Sequence, residues 1–316
     1  MSSLFKQPNE LEFSTVVKML IYGQPGIGKT TLALSAPNPV LFDFDGGVQR
    51  VNVAFQCVTL QVKNWQMVLD AMQELKQGAV KCDSIVIDTA GKMLDFMSDY
   101  IMQNDSKMRM RDGSLALKGY GARKVMFVNF LREVAAMGKN IVFVAHEKED
   151  KDGETRIVRP EMGGSSLGDL IKELDLVGYV QAIGTDRTVF WNPQEKFYAK
   201  NTCNLPVSEK IPTIIDANGV VTADNKFLQG TFGYYERNVK AIEETRAKYN
   251  ELLSEIETAI EQITDAKGAN EFVANIKNVA IIWDSRIRAR DLFSAKVKEL
   301  KLSYDQKTKK YAEPAA

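Results

Sequence analysis

The segment GQPGIGKTT, from Gly23 to Thr31, constrains the fold of this chain more than any other. The apolar run VVKMLIY precedes it and has the composition of a buried strand, and KTTLALSA after it predicts a helix that PNP ends. The segment itself fits G-x-x-x-x-G-K-[ST], a loop whose successive backbone N–H groups surround phosphate oxygens. A strand, this loop and a helix in that order predict an α/β domain that binds a nucleoside phosphate.

Each residue type in this phosphate loop has a physical reason. Glycine lets the backbone turn tightly and approach phosphate oxygens without a side chain in the way. Lys29 is expected to reach the β- and γ-phosphates, and the Thr30 hydroxyl is expected to be a ligand of Mg²⁺. The predicted nucleotide-binding residues are Gly23, Gln24, Pro25, Gly26, Ile27, Gly28, Lys29, Thr30 and Thr31.

A second acidic ligand would complete the magnesium site. Asp88 ends the apolar run SIVID, so it is expected at the tip of a buried strand. We predict Thr30 and Asp88 as the metal ligands. The alternative is that Asp88 only caps the helix that follows it.

The stretch DTAG at residues 88–91 also fits D-x-x-G, a pattern of enzymes that hydrolyse GTP. Such an enzyme needs an N-K-x-D element to recognise guanine. The nearest candidate is EKED, Glu147–Asp150, which has Glu where Asn is required. The sequence therefore favours ATP over GTP.

His146 is the single histidine of the chain and ends the apolar run IVFVAH. Ligands of open parallel sheets bind outside the carboxyl ends of the strands. We therefore predict that His146 faces the bound phosphates and senses the γ-phosphate. The alternative is a structural histidine beside a strand.

Apolar runs alternate with helical patterns over the first part of the chain. Strands are predicted in PVLFDFDGG, SIVIDT and NIVFVAHE, and helices in NWQMVLDAMQELKQG, AGKMLDFMSDYIM and KVMFVNFLREVAAMG. This alternation predicts a mainly parallel sheet covered by helices. A long polar loop is predicted over 148–169, followed by strands in LDLVGYVQAI, RTVFWNP and KFYAKN and by a hairpin at Asn218-Gly219.

The pattern becomes helical from Tyr234 onward, which predicts a helical extension over 234–316 beyond a core of 1–233. A heptad seam follows steps of three and four through Val239, Ile242, Arg246, Tyr249, Leu253, Ile256, Ile260 and Ile263. A second helical stretch, about 269–302, offers Ile276, Val279, Trp283, Ile287, Val297 and Leu300 as core contacts. The seam predicts either a helical hairpin folded onto the protein or an intermolecular coiled coil.

The balance of charges restricts any contact with nucleic acid to a local patch. The 41 Lys and Arg residues equal the 41 Asp and Glu residues, whereas non-specific nucleic-acid binders usually have a basic excess. Residues 105–124 carry six basic residues against two acidic ones, with a tyrosine for base stacking. The candidate contacts to single-stranded DNA are Lys107, Arg109, Arg111, Lys118, Tyr120, Arg123 and Lys124.

Composition and cysteine spacing favour a cytoplasmic protein with no membrane contact. No apolar run has the length of a membrane span, and MSSLFKQPNELEF lacks the apolar region of a signal peptide. Cys57, Cys82 and Cys203 are far apart and form no C-x-x-C pair, which argues against a disulfide framework or a zinc site.

Eight motifs together resemble the RecA-like P-loop nucleotide-binding proteins of phages, which are related to the ATPases of single-strand annealing recombination. In order, between Lys18 and Asn201, they are GQPGIGKTT, LFDFDGG, SIVIDT, KGYGARK, VFVAHEKED, RIVRPEMGG, DLVGYV and FYAKN. The resemblance implies a RecA-like P-loop NTPase core that takes ATP and Mg²⁺. It also implies assembly into a ring or filament, in which a neighbouring subunit supplies a basic residue to the nucleotide; Lys200 is the candidate.

The resemblance further implies a carboxylate that orients the attacking water after the strand that follows the first helix. Asp43 and Asp45 are expected on one face of that strand, and Asp45, nearer the tip, is the candidate. The family usually has Glu there, and usually Gln where His146 stands. Asp88 is followed by Thr89 rather than by the Glu of many AAA+ enzymes.

The function implied is ATP binding and hydrolysis in phage DNA recombination or replication, with single-stranded DNA, the protein's own copies and other recombination or replication proteins as partners, in the host cytoplasm. The alternative is a nucleotide-dependent assembly or adaptor module with little hydrolysis.

Overall fold

The computed structural model describes residues 11, 13–152, 155–163, 167–278 and 281–314. The chain forms two compact units. One unit is Thr15–Glu236, and the described residues of the other are 11, 13–14, 237–278 and 281–314. The boundary lies inside a long helix, three residues from the predicted end of the core.

A mixed sheet forms the centre of the first unit. Its strands are β1 (Lys18–Gly23), β2 (Pro39–Asp43), β3 (Thr59–Gln61), β4 (Ser84–Asp88), β5 (Asn140–Asp152), β6 (Thr155–Pro160), β7 (Leu176–Ile183), β8 (Asp186–Phe190), β9 (Lys200–Asn201) and β10 (Ser208–Ile211). The strand order is β10-β8-β7-β1-β5-β4-β2-β3, with β6 paired to β5 and β9 to β7. The six strands from β7 to β3 in this order are parallel, as the alternating pattern predicts.

Helices cover both faces of this sheet. They are α1 (Lys29–Ala33), α2 (Trp65–Lys76), α3 (Ala90–Asn104), α4 (Leu117–Ala136), α5 (Leu167–Lys172) and the first turns of α6 (Phe227–Glu261). Leu20 and Tyr22 of β1 pack on one face with residues of α2, α3 and α4, while Met19 and Ile21 pack on the other with Leu32 of α1 and Leu228 of α6. Because β1 is buried on both faces, its sequence is a continuous apolar run.

Several sequence-based boundaries were wrong. The long loop predicted over 148–169 is replaced by an antiparallel ribbon, in which Glu147 lies opposite Pro160 and Glu149 opposite Val158, and by α5. Its strands are rich in charged residues and so give no apolar periodicity. The predicted hairpin at Asn218-Gly219 is present in a short form, with an antiparallel bridge between Ile215 and Val221, whereas β10 was not predicted.

The hydroxyl of Tyr22, next to the end of β1, makes two long-range hydrogen bonds. It donates to the carbonyl of Tyr198 at 2.6 Å and to that of Val158 at 3.3 Å. The end of β1 is therefore bonded directly to β6 and to the segment that leads into β9.

The second unit contains the rest of α6, α7 (Ala266–Asn275), α8 (Ser285–Glu299) and the ribbon β11 (Ser303–Asp305) with β12 (Lys310–Ala312). Ile256, Ile260 and Ile263 of the heptad seam are buried in its core with Phe293 of α8. This half of the seam therefore packs within its own unit, as in the helical-hairpin interpretation.

The second predicted helical stretch, about 269–302, is broken between α7 and α8. Trp283 and Ile287 are more than half exposed, so their prediction as core contacts was wrong, and Val279 lies outside the described residues. In the described residues, no helix is both long and apolar enough to cross a membrane.

Candidate functional site

The phosphate loop leaves the carboxyl end of β1 and turns into α1. A Cβ on Gly23 would lie 2.4 Å from the carbonyl oxygen of Val180, so no other residue fits beside β7. Gly28 has φ of 84°, a left-handed conformation that favours glycine, and a Cβ there would lie 2.6 Å from Nη1 of Arg187. Gly23 is thus fixed by close packing against the backbone of β7, and Gly28 mainly by its left-handed conformation.

Lys29 lies inside the loop rather than in solvent. Its side chain is buried, and Nζ donates to the carbonyls of Gly23 at 2.9 Å and Gln24 at 2.6 Å. Burial lowers the pKa of the Lys29 ammonium, and the nearby Asp88 carboxylate opposes that change. The ammonium is therefore held under the loop, where the sequence pattern predicts it.

Thr30 and Asp88 meet across the carboxyl edge of the sheet. The Thr30 hydroxyl donates to Oδ2 of Asp88 at 2.6 Å. The helix cap is Thr89, whose hydroxyl accepts from the backbone N–H of Lys92 at 3.4 Å, so Asp88 is not the cap of α3. The peptide bond between Asp88 and Thr89 is cis.

The surroundings of the Asp88 carboxyl suit the binding of a cation. Burial raises its pKa to about 6, the Thr30 hydrogen bond opposes this, and the charges of Asp45 and Asp43 add to it. A hydroxyl and a carboxylate oxygen this close are the hard donors that Mg²⁺ takes together with phosphate oxygens. In the part of the chain that the structure describes, no cluster of three or more His, Cys, Asp and Glu side chains could hold a metal alone. The Thr30–Asp88 pair therefore fits a magnesium ion that is shared with a nucleotide.

The two acidic residues at the end of β2 differ in role. β2 ends at Asp43, whose buried carboxylate accepts the backbone N–H groups of Gly47 at 3.0 Å and Val48 at 3.2 Å. Asp45 lies beyond the strand, so the expected alternation on one strand face was wrong. It accepts only the Gly47 N–H, at 2.9 Å, among the described backbone groups, and its side chain faces the phosphate loop.

His146 lies where sheet order predicts it. β5 runs between β1 and β4, and His146 is level with Gly23 in the pairing of β5 with β1. Burial, and then the charge of Lys29, lower the pKa of the His146 imidazole, so the neutral form dominates at neutral pH. Its Nδ1 is buried without a hydrogen-bond partner among the described residues.

These side chains surround one cavity of about 210 Å³. Its walls are Gly26, Gly28, Lys29, Thr30, Thr31, Asp45, Gly47, Arg50, Val51, Asp88, Thr89, Val144 and His146. The structure thus brings together the predicted loop with Asp45, Asp88 and His146. A second cavity of about 740 Å³ shares Thr89 and His146 with it, and Lys148, Arg159 and Tyr198 are among its other walls.

Sequence reasoning missed two arginines of this region. Arg50 lines the cavity from the short 3₁₀ helix Gly47–Arg50 that follows Asp45. Arg187 of β8 donates to the carbonyl of Ile27 at 3.3 Å and to that of Pro212 at 3.1 Å, and so supports the phosphate loop from behind. The D-G-G turn could have drawn attention to Arg50, whereas no local signal marks Arg187.

Lys200 is not among the residues of this cavity. Its Nζ donates to the carbonyl of Lys172 at 3.0 Å and to that of Leu174, at the end of α5. Cations are favourable at helix carboxyl ends, where carbonyls lack intrahelical partners. Within its own subunit Lys200 therefore has a capping role, and its predicted action on a neighbour's nucleotide stays a prediction.

The basic segment 105–124 divides into exposed and buried residues. Arg123 is buried, and its guanidinium donates to Oγ of Ser98 at 3.1 Å and to the carbonyl of Gly163 at 3.0 Å, so its prediction as a DNA contact was wrong. It also lies over the ring of Tyr120, at 4.9 Å from the centroid. The exposed basic residues are Lys107, Arg109, Arg111, Lys118 and Lys124.

Comparison with known proteins places this architecture in a family. A family model described as an AAA domain matches residues 15–203, which include the phosphate loop, Asp45, Asp88 and His146. The chain belongs to this AAA-domain family. The match covers nearly all of the sheet and ends just after β9, so the AAA domain contains every residue of the 210 Å³ cavity.

The comparison with solved structures gives one alignment over part of the chain. The crystal structure of the RadB recombinase aligns with 14% identity and a TM-score of 0.34, over 55% of this chain and 79% of that one. A similarity of this size does not bear on the substrate or partners of the AAA domain. No curated protein sequence matches the chain.

Proposed function

We propose that this AAA domain binds ATP with Mg²⁺ and hydrolyses it. The observation that carries the proposal is the 2.6 Å contact between Thr30 and Asp88 beside the buried Lys29 ammonium. A hydroxyl, a carboxylate and an ammonium converge there on the loop whose backbone surrounds phosphates. Thr30 and Asp88 would hold the magnesium ion, which neutralises charge on the β- and γ-phosphate oxygens when bound.

Three residues of the chain have separate roles in phosphoryl transfer. Lys29 binds the β- and γ-phosphates, Asp45 orients the attacking water, and neutral His146 hydrogen-bonds the γ-phosphate region. A bond forms between the water oxygen and the γ-phosphorus, and the bond from that phosphorus to the β–γ bridging oxygen breaks. The electron pair of the broken bond stays on ADP, and the water proton passes to Asp45 and then to solvent. Positioning and electrostatic stabilisation supply most of the catalysis in such a site.

The enzyme proposal is tested with two variants of the site and one control. Lys29→Ala should lose ATP binding, because the ammonium under the loop is removed. Asp45→Asn should bind ATP with little change but hydrolyse it at least about 100-fold more slowly, the usual size of a general-base contribution. Asp99→Asn, an exposed carboxylate on α3, is the matched control. Normal turnover in Lys29→Ala, or turnover of GTP in preference to ATP, contradicts the proposal.

We propose further that hydrolysis serves DNA recombination or replication in a phage, through single-stranded DNA. The support is the group of five exposed cations at 107, 109, 111, 118 and 124, together with Tyr120. Basic grooves with aromatic side chains bind single strands without reading their sequence. His146 is a wall of both cavities, which would let a ligand of the larger cavity affect the γ-phosphate site.

The alternative is an adaptor in which ATP only orders subunits into a ring or filament. The heptad seam and the neutral net charge favour the adaptor, but Ile256, Ile260 and Ile263 of the seam are already buried within the second unit. ATPase rates with and without single-stranded DNA, with the mass of the particle measured in parallel, separate the two. Stimulation of ATP hydrolysis by DNA supports the enzyme that acts with single-stranded DNA. ATP-dependent assembly without DNA binding or turnover supports the adaptor.

A further inference from the structure

We propose that Arg50 is a catalytic residue that acts within its own subunit. Its guanidinium moves away from Asp45 and contacts the γ-phosphate while the phosphoryl group is transferred. This inference rests on the proposed ATP hydrolysis and adds a residue to that site.

Arg50 lies at the phosphate cavity with its side chain largely exposed. Its side chain is 75% exposed, although it is one of the cavity walls. Within the described residues its ion-pair partner is Asp45, with Nη2 and Oδ2 separated by 3.9 Å. A pair this long and this exposed is worth little, so a phosphate can replace Asp45 at small cost.

Side-chain hydrogen bonds hold the backbone around Arg50 on both sides. Asp43 fixes the start of the 3₁₀ helix by accepting the N–H groups of Gly47 and Val48. The amide of Gln56 donates to the carbonyls of Val48 at 3.1 Å and Val51 at 3.0 Å, and both valines are buried. Because the backbone is held in place, the long Arg50 side chain can move to the phosphate while the backbone keeps its conformation.

Beside the proposed magnesium ion, charge balance in the cavity calls for a second cationic side chain. Among its walls in the described part of the chain, only Lys29 and Arg50 carry a full positive charge, because His146 is held neutral. Lys29 is held under the loop by Gly23 and Gln24, whereas Asp45 and Asp88 add negative charge. Charge spreads over the γ-phosphate oxygens during transfer, and a guanidinium matches two of them with its planar pair of donors.

The exchange also frees Asp45 for its own role. In the structure the Asp45 carboxylate accepts from Gly47 through Oδ1 and pairs with Arg50 through Oδ2. When Arg50 moves to the phosphate, Oδ2 becomes available to the attacking water while Oδ1 stays anchored. Arg50 therefore couples the arrival of the γ-phosphate to the availability of the base.

The experiment compares Arg50→Ala, Arg50→Lys and the control Arg132→Ala, an exposed arginine on α4. Binding of fluorescent ADP and ATP, the hydrolysis rate, and the affinity for MgADP with aluminium fluoride, which resembles the transferring phosphoryl group, are measured for each. Arg50→Ala should keep ADP and ATP affinity within about threefold, lose about 100–1000-fold in rate, and lose the preference for the fluoride complex. Arg50→Lys should fall between, because lysine lacks the paired donors.

Each contrary result has a distinct meaning. A rate for Arg50→Ala within threefold of the wild type overturns the inference alone. Equal loss of ADP and ATP affinity makes Arg50 a general binding residue and also overturns it. Turnover restored by mixing Arg50→Ala with Lys29→Ala subunits overturns the action within one subunit. If the wild type does not hydrolyse ATP, the proposed function fails and this inference fails with it.

Discussion

The Thr30 hydroxyl donates a 2.6 Å hydrogen bond to Oδ2 of Asp88 and so joins the phosphate loop to the end of β4. Thr30 follows the loop lysine directly, whereas Asp88 lies 58 residues further along the chain. The two halves of the proposed magnesium site are therefore joined by a hydrogen bond of the protein itself.

Thr30→Ala should weaken the magnesium-dependent part of ATP binding. The variant removes one oxygen donor, and a hydrogen bond or contact that involves a charged group is worth about 1.5–3 kcal/mol, which is about 10–100-fold in affinity. Titration of Mg²⁺ into protein with a fluorescent ATP analogue measures this. Thr30→Ser should restore binding, and in excess EDTA all three proteins should bind alike; an unchanged magnesium response in Thr30→Ala removes Thr30 from the site.

Asp88→Asn should stabilise the protein without nucleotide at pH 8 more than at pH 4. The pKa of Asp88 is raised from 3.8 to about 6 by burial, so the folded state holds the proton more tightly than the unfolded one. The stability from this proton is complete below pH 3.8 and is lost as the pH rises through 6. Two units of pKa correspond to on the order of 3 kcal/mol relative to the uncharged Asn variant. Denaturant unfolding of both proteins from pH 4 to 8 measures the difference; parallel curves would mean that Asp88 ionises normally.

Replacing Lys107, Arg109 and Arg111 by alanine should weaken single-stranded DNA binding and its salt dependence. Each lost phosphate contact lowers the slope of log affinity against log salt by about 0.7, so three contacts lower it by about 2. The control replaces Lys63, Lys81 and Lys196, three exposed lysines elsewhere in the first unit, and changes the net charge equally. Equal losses in both triple variants would show that only overall charge matters.

Lys200→Ala distinguishes a helix cap from a residue that acts on a neighbour. Loss of the hydrogen bonds to the carbonyls of Lys172 and Leu174 should cost about 1 kcal/mol, or about 2–4 °C in Tm for a domain of this size. The ATPase rate should stay within twofold. An unchanged Tm with a rate that falls at least tenfold would instead support the action on a neighbouring subunit.

The sequence predicts the parts of the site that follow from strand ends. The phosphate loop, Asp88 and His146 each end an apolar run, and a parallel sheet brings such ends to one edge. The order of the strands, with β5 between β1 and β4, then places His146 level with Gly23.

Other parts depend on contacts that no local pattern encodes. Arg187 supports Ile27 from 160 residues away, and in the sequence its segment reads as one more ordinary strand. Arg123 and Lys124 are neighbours in one basic segment, yet α4 buries the first and exposes the second. The ribbon of β5 and β6 went unpredicted because its first strand, Glu147–Asp152, consists entirely of charged residues and so gives no apolar alternation.

The hydroxyl of Tyr22 connects the phosphate loop to the larger cavity by hydrogen bonds that do not involve His146. It joins the residue before Gly23 to the backbone of Val158 and of Tyr198, 136 and 176 residues further on. Tyr198 is a wall of the larger cavity. A shift of the loop and a shift of that wall would therefore both act on the hydrogen bonds of the Tyr22 hydroxyl. The two cavities are thus connected through hydrogen bonds of the sheet as well as through the His146 side chain, which is a wall of both.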